Sequence, residues 1–563
     1  MGELVPASVQ HGSPSIPLAG SYTQPLGAPQ PPNEPHAISV SLPTWEAVTA
    51  VMAGADWAIS QLQTSYPRFD VHNRVKELHD AVLARFKHPT QTVCRAFPSS
   101  EAAERFISRL KRADPSFPVH TARFHLPSDA APDMAKWAAF SVVLFHESLE
   151  GVAYEFWEWF GDGISSRHAE FCLYQFLFLN SESDQSEYWT VGPESHNLSA
   201  MTLSEWIDNA TSYKTAIKSR LISSARSADP AIKPIGNGDV FLCATGMAAI
   251  SVIARTLART SEDSGAVVYG WPYSGTPHCV QGCGFKRYIM YGHGSKEDLD
   301  SFESLLVSGI RFTVLFCEIT SNPQLSTPDL HRIRDLANRF GFVVVCDDTI
   351  GTSVNVDILP YVDVIITSLT KIFSGAGNVM GGSIMTNPNS KHYSTLTALL
   401  STAYEDLYFP LDAKTIAHNS SDFAARVHKC NETALQIANF LESHPAVKSV
   451  NYPTMVPTAP LYERYRRPEG GYGFLLSVIF HEPESAMLFY DKLDVWKGPT
   501  VGTNFSISIP YSALAHAKEQ DWAASHAVPK HIVRLSIGLE DYRDLSERVS
   551  RALREVEMRE KMS

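Results

Sequence analysis

Lys371 follows a short apolar run, with Ser368 three residues and Thr370 one residue before it. A lysine just beyond a buried strand loses hydration, its pKa falls, and its neutral amine condenses with a carbonyl. An exposed loop lysine does neither, so the strand decides. The two hydroxyls suit a phosphate. Two other strand ends carry polar groups. Asp347-Asp348-Thr349 follows an apolar run at 342–346. A carboxylate there serves a metal, a ribose or a protonated ring nitrogen, or merely caps a helix. Ala244-Thr245-Gly246-Met247 joins an apolar run to a helical pattern. A glycine turn at that point offers backbone N–H groups to phosphate, although many such turns carry glycine for the turn alone. Together these ends suit a phosphorylated aromatic cofactor.

The stretch from Gly375 to Gly381 mimics a dinucleotide fingerprint, with one residue too many. It also lacks the flanking strand and helix of a first βαβ unit, so it is rejected.

These residues need a sheet to hold them. Strands are predicted at 240–243, 266–271, 312–318, 342–346, 362–367 and 382–385, with helices from about 247 and at 328–340. Short apolar strands alternating with amphipathic helices predict an α/β domain with a mostly parallel sheet. Ligands then sit beyond the carboxyl ends of the strands. From about 406 a long helix at 423–441 and strands at 474–480, 506–509 and 532–537 predict a smaller α+β domain. Upstream, 74–86 has helical spacing, 137–160 is strongly aromatic and reads as core or subunit contact, and 181–194 is polar and reads as a surface loop. The division expected is a Pro-rich flexible tail at 1–35, an N-terminal segment at 36–99, an insertion at 100–235, a large domain at 236–405 and a small domain at 406–563.

Composition excludes other classes. The 563 residues are 44% hydrophobic and 19% charged, which describes a globular chain. The net charge of −13 opposes a nucleic-acid role. The longest apolar run, at 137–145, is far short of the ~20 residues that span a bilayer. Eight cysteines in so long a chain are not a disulfide framework, and Cys279 and Cys283 lack a second pair, so no metal site is predicted. The first residues lack the basic and apolar regions of a signal peptide, and a cytoplasmic protein is expected.

Taken in order, the motifs resemble the Cys/Met-metabolism family of pyridoxal-phosphate (PLP) enzymes. SLTKIFSGAGNVMGGSIM matches that family's lysine motif. CDDT matches its Asp-Asn-Thr, with Asp348 in place of Asn. YSGT at 273–276 matches its Tyr-Gly-Gly-Thr loop, and EITSNP ends in its Asn-Pro. GGYGFLLSVIF and RLSIGLED resemble segments of its C-terminal domain. PHAISVSLPTW and SYPRFDVH look like the fungal form of cystathionine γ-synthase, with its long N-terminal extension.

The resemblance implies an aminotransferase-like (type I) fold and pyridoxal 5'-phosphate as cofactor. It implies that Lys371 links to the cofactor and moves protons, and that Tyr273 stacks on the ring and serves as acid or base. Asp347 would pair with the ring nitrogen, and Asn322 would lie near the ring hydroxyl. Thr245, Gly246, Met247, Ser368 and Thr370 would hold the phosphate. Tyr66 and Arg68 would stand for a Tyr-x-Arg that reaches a neighbouring subunit's phosphate, with Arg167 as second candidate. Arg534 would grip the substrate carboxylate, with Thr500 beside it. Partners would be amino-acid substrates and further copies in a homodimer or homotetramer with shared active sites.

The reaction implied is γ-replacement on O-acetyl-L-homoserine by L-cysteine. His278, where succinyl-using relatives have arginine, suits the acetyl ester. The segment at 46–58 departs from the usual acidic stretch, which leaves open a carbon nucleophile such as acetoacetate in alkyl-pipecolate biosynthesis. A cystathionine β- or γ-lyase also fits the family motifs. A non-catalytic scaffold fits them poorly, because it has no need of Lys371, Asp347 and Arg534.

Overall fold

A computed structural model describes residues 22–67, 70–86, 89–128, 130, 132–183 and 210–562. The large sheet has seven strands in the order Val240–Cys243, Gly382–Thr386, Val364–Ser368, Val343–Asp347, Val314–Glu318, Gly265–Tyr269 and Arg287–Tyr291. All run parallel except Gly382–Thr386, which is antiparallel to both neighbours. The strands read as unbroken Val/Ile runs because helices cover both faces. Val343–Asp347 is buried along its apolar length, and so is Val314–Glu318. The predicted strands and helices of this region recur within a few residues at each end.

Beyond it lies a five-stranded sheet in the order Val447–Asn451, Leu475–Phe480, Val533–Ser536, Ile507–Pro510 and Trp496–Lys497. The helices Phe423–Glu442 and Tyr542–Met562 bury their apolar stripes, Ile437, Leu441, Val549 and Leu553 among them, against it.

A third unit precedes them. Its sheet has the order Thr92–Phe97, Phe140–His146, His120–His125, Asn180–Ser183, all antiparallel. The central strand is buried along nearly its whole length and feeds two cores by alternation. Val143 and Phe145 pack with the helices Ser100–Ala113 and Glu150–Phe160 and with large-domain helices. Phe140, Val142 and Leu144 pack with Asn73–Leu83 and Ser166–Gln175. The 137–160 stretch is thus largely core. The boundary expected at 99/100 falls inside this unit, because Thr92–Phe97 pairs with Phe140–His146 across it. Ser181–Ser183, read as loop, belong to the strand Asn180–Ser183; 184–194 lie outside the described residues.

The proline-rich segment also differs from expectation. Its first 21 residues lie outside the described residues. Residues 22–35 are packed rather than free: the Tyr22 N–H donates to Asp494 Oδ1 at 2.8 Å, and Pro29–Gln30 pairs with Ser39–Val40. Gln30 Nε2 donates to the Lys497 carbonyl at 3.1 Å, which fastens this strap to the small domain, and the buried Lys497 Nζ donates to the Pro43 carbonyl just beyond it. All eight cysteines are thiols. Among the described residues no helix is long and apolar enough to cross a membrane.

Phe106 is fully buried, with ring centroids of Phe97, Phe156 and Phe145 at 5.1, 5.2 and 5.4 Å. Phe106→Ala is expected to destabilise the N-terminal unit by about 3–5 kcal/mol, read from the denaturant midpoint.

Candidate active site

Three parallel strands end side by side and bring Glu318, Asp347 and Ser368 to one edge of the large sheet. Glu318 and Asp347 are direct lateral partners. A cavity of about 140 Å3 opens there, at the crevice where ligands of such sheets sit. It gathers Tyr66, Thr245, Gly246, Met247, Tyr273, Asn322, Asp347, Ser368, Thr370, Lys371 and Arg534. Arg68 lies outside the described residues.

Lys371 is held from two sides. Its Nζ donates to Tyr66 Oη at 2.7 Å and to Thr500 Oγ1 at 3.3 Å. The resemblance sends Tyr66 to a neighbouring subunit; here it reaches the lysine of its own chain. Asp347 Oδ1 accepts from the Thr349 N–H at 2.8 Å. Desolvation, with Asp348 adding to it, pushes the Asp347 carboxyl up to about 6. Glu318 Oε1 accepts from the Tyr273 N–H at 2.7 Å, and burial together with Asp347 beside it holds Glu318 well above the usual carboxylate range.

At the other end, Thr245 caps the Gly246–Ala258 helix by accepting from the Ala248 N–H at 2.9 Å. The first N–H groups of that helix, at Gly246 and Met247, open onto the cavity and suit an anion. A Cβ on Gly246 would sit 2.9 Å from Ser368 Cβ and fill this cradle. Thr349 Oγ1 accepts from the Ser368 N–H at 2.7 Å, so one threonine braces both the acid end and the cradle. The Thr370 hydroxyl exchanges hydrogen bonds with the Gly381 backbone, at 3.1 and 3.3 Å, and so braces the loop beyond Lys371. Arg534, on the central strand of the small sheet, donates to Pro499 O at 2.8 Å and to Asn322 Oδ1 at 3.4 Å.

The N-terminal unit lines one side of the cavity with Trp157, Gly161, Gly163 and Ser165. Trp157 Nε1 donates to Pro67 O at 2.5 Å and so pins the Tyr66 segment. Gly161 sits at φ +65°, and a Cβ there would lie 2.2 Å from Thr245 Oγ1. Arg167, the second Tyr-x-Arg candidate, is bonded to Asn378 O and Asp412 and does not line the cavity. His278 is exposed, stacked on Trp159 at 4.6 Å, and does not line the cavity. The 46–58 segment packs behind the Tyr511–Ala515 helix, one layer away from the cavity.

Sequence reading gave no role at this site to Glu318 or Gly161, quoted Thr349 without a role, and read Trp157 as core or subunit contact. Glu318 stood in the quoted EITSNP, and its place beside Asp347 is visible once the two strands are paired.

A ring with a phosphate at one end and a protonatable nitrogen at the other fits these donors. The helix N-terminus would take the phosphate and the buried Asp347 the cationic nitrogen, with Lys371 in the same cavity. Comparison with known proteins decides the family. Residues 229–554 match the family model described as Cys/Met metabolism PLP-dependent enzyme, and residues 74–165 match the fungal trans-sulfuration enzyme, N-terminal domain. This chain belongs to the Cys/Met metabolism family of PLP-dependent enzymes. It is 85% identical over 562 residues, the whole of both chains, to the cystathionine gamma-synthase-like protein ankD of Aspergillus thermomutatus. It is 33% identical to the cystathionine gamma-synthase of Neurospora crassa, over 94% of this chain and 98% of that one. Its fold matches that of the cystathionine gamma synthase of Xanthomonas oryzae, solved in complex with cystathionine, with TM-score 0.53 and 21% identity over 62% of this chain and 86% of that one.

Two outcomes are expected for this PLP enzyme. Gly246→Ala lowers cofactor affinity, read as loss of bound-cofactor absorbance at fixed added PLP. Asp347→Asn stabilises the cofactor-free protein above pH ~6, and the gain fades toward pH ~4, read from thermal midpoints. The sign follows from the raised folded value: the folded state holds the proton more tightly, so stability falls as pH climbs from the ordinary aspartate value to about 6.

Proposed function

We propose that the enzyme catalyses γ-replacement on O-acetyl-L-homoserine with a thiol amino acid, L-cysteine, as nucleophile. The observation that carries the reading is the placement of Lys371, braced by Tyr66 and Thr500, in the same cavity as Asp347 and Arg534. The likeness along nearly the whole chain to the Neurospora cystathionine gamma-synthase supports the choice of reaction.

The cofactor, when bound, supplies the electron sink for loss of the α proton. The chain's own residues do the rest. Arg534 binds the substrate carboxylate through a planar fork whose orientation Pro499 and Asn322 already set. Lys371 takes the proton from Cα and returns it, with the Tyr66 hydroxyl oriented to share it. Tyr273, at the cavity wall, serves the leaving-group side. Asp347 keeps a charge where the ring nitrogen would sit. The wall of Trp157, Ile164 and Leu514 excludes water. In balance, the Cγ–O bond breaks and acetate departs, a Cγ–S bond forms, and the thiol proton is released. No oxidant or reductant is needed.

The test is mass spectrometry of products from the purified holoenzyme with O-acetyl-L-homoserine, offered L-cysteine and acetoacetate in parallel. Cystathionine as the main product is expected. A carbon-linked acetoacetate adduct with little cystathionine overturns the choice of nucleophile, and 2-oxobutyrate alone indicates elimination.

A further inference from the structure

We propose that Glu318 is a positioning residue of this site, whose side chain, carrying no charge, anchors the backbone of Tyr273 to the strand end beside Asp347. The proposal rests on the reading of Tyr273 as a group that acts on substrate.

The geometry is specific. Glu318 is 8% exposed, ends its strand and is the lateral partner of Asp347. Its Oε1 accepts the Tyr273 N–H at 2.7 Å, which fixes the loop that carries the tyrosine into the cavity. With Oε1 accepting, a proton on Oε2 leaves that bond intact. The charged and titratable groups around it favour that proton. Asp347 ends the neighbouring strand, with Asp348 just past it, and Cys317 precedes Glu318 on its own strand. Tyr269 on the strand on its other side and the exposed His293 line a second pocket, of about 10 Å3, which Glu318 shares. Lys371 bonds Tyr66 and Thr500, and Arg534 bonds Pro499 O and Asn322. One cationic ring nitrogen answers one carboxylate. Two ionised carboxylates on adjacent buried strand ends would set like charges side by side out of water. The small pocket beside Glu318 is about the size of one water.

This differs from a structural acid, which would be needed as a charge. Glutamine keeps the shape and the acceptor and removes the titration; alanine removes the anchor. Glu318→Gln and Glu318→Ala are compared with wild type in two measurements. The first is exchange of the Cα proton of L-2-aminobutyrate in D2O by the holoenzyme. This needs no leaving group and no nucleophile, so it survives failure of the proposed γ-replacement. The second is the thermal midpoint of the cofactor-free protein against pH. The proposal expects Glu318→Gln to keep kcat for exchange within about twofold and Glu318→Ala to lower kcat by about tenfold or more with KM little changed. It also expects Glu318→Gln to flatten the fall of stability that wild type shows as pH rises above the ordinary glutamate value. Glu318→Gln falling as far as Glu318→Ala overturns it, and so does a Glu318→Gln stability profile parallel to that of wild type. If cystathionine is not formed while exchange follows this pattern, the reaction assignment fails and the role of Glu318 stands.

Discussion

Two carboxyl groups set side by side at the ends of adjacent buried strands, Glu318 and Asp347, are the constraint on which the site turns. Burying them costs free energy, and burial raises the proton affinity of both, with Asp347 adding to the effect on Glu318. The cost is met locally: the Thr349 backbone bonds one, the Tyr273 backbone bonds the other, and a cationic ring nitrogen would offset the charge that remains. The sheet dictates this closeness, because parallel strands in register carry their last residues to the same line. The charge crowding at that edge makes a ligand with a positive nitrogen welcome there.

The opposite end of the cavity has the reverse polarity. The Gly246–Ala258 helix points its N–H groups and positive dipole end into the space where Asp347 points its acid. A ligand that is anionic at one end and cationic at the other is therefore oriented before any side chain moves. Lys371 lies in the same cavity, and its amine is aimed by Tyr66 and Thr500 rather than left to its own rotamers.

The N-terminal unit adds a wall to this bipolar cleft. Trp157 walls it and pins Pro67, which holds Tyr66 over the lysine. Gly161 lets the same unit approach the phosphate end, where any side chain would strike Thr245. An ion-pair set, Arg105 with Asp162 and Glu405, ties that unit to the large domain. A single chain thus supplies wall, lysine and helix terminus to one site.

By itself the sequence determined what is local. Apolar runs of strand length and helical stripes specified the α/β domain, because side-chain period sets which face is buried. The lysine with its flanking hydroxyls, the acid after 342–346 and the glycine turn before 247 were legible because each stands at the end of a run that could be read alone. What tertiary structure decided is which ends meet. Glu318 and Asp347 are 29 positions apart and gain their meaning only from strand register. Tyr66 and Lys371 are 305 positions apart and touch only because a separate unit folds over the cleft. His278 and 46–58 sat in suggestive places and do not line it. Periodicity reports burial against something, and it is silent on which distant segment that something is.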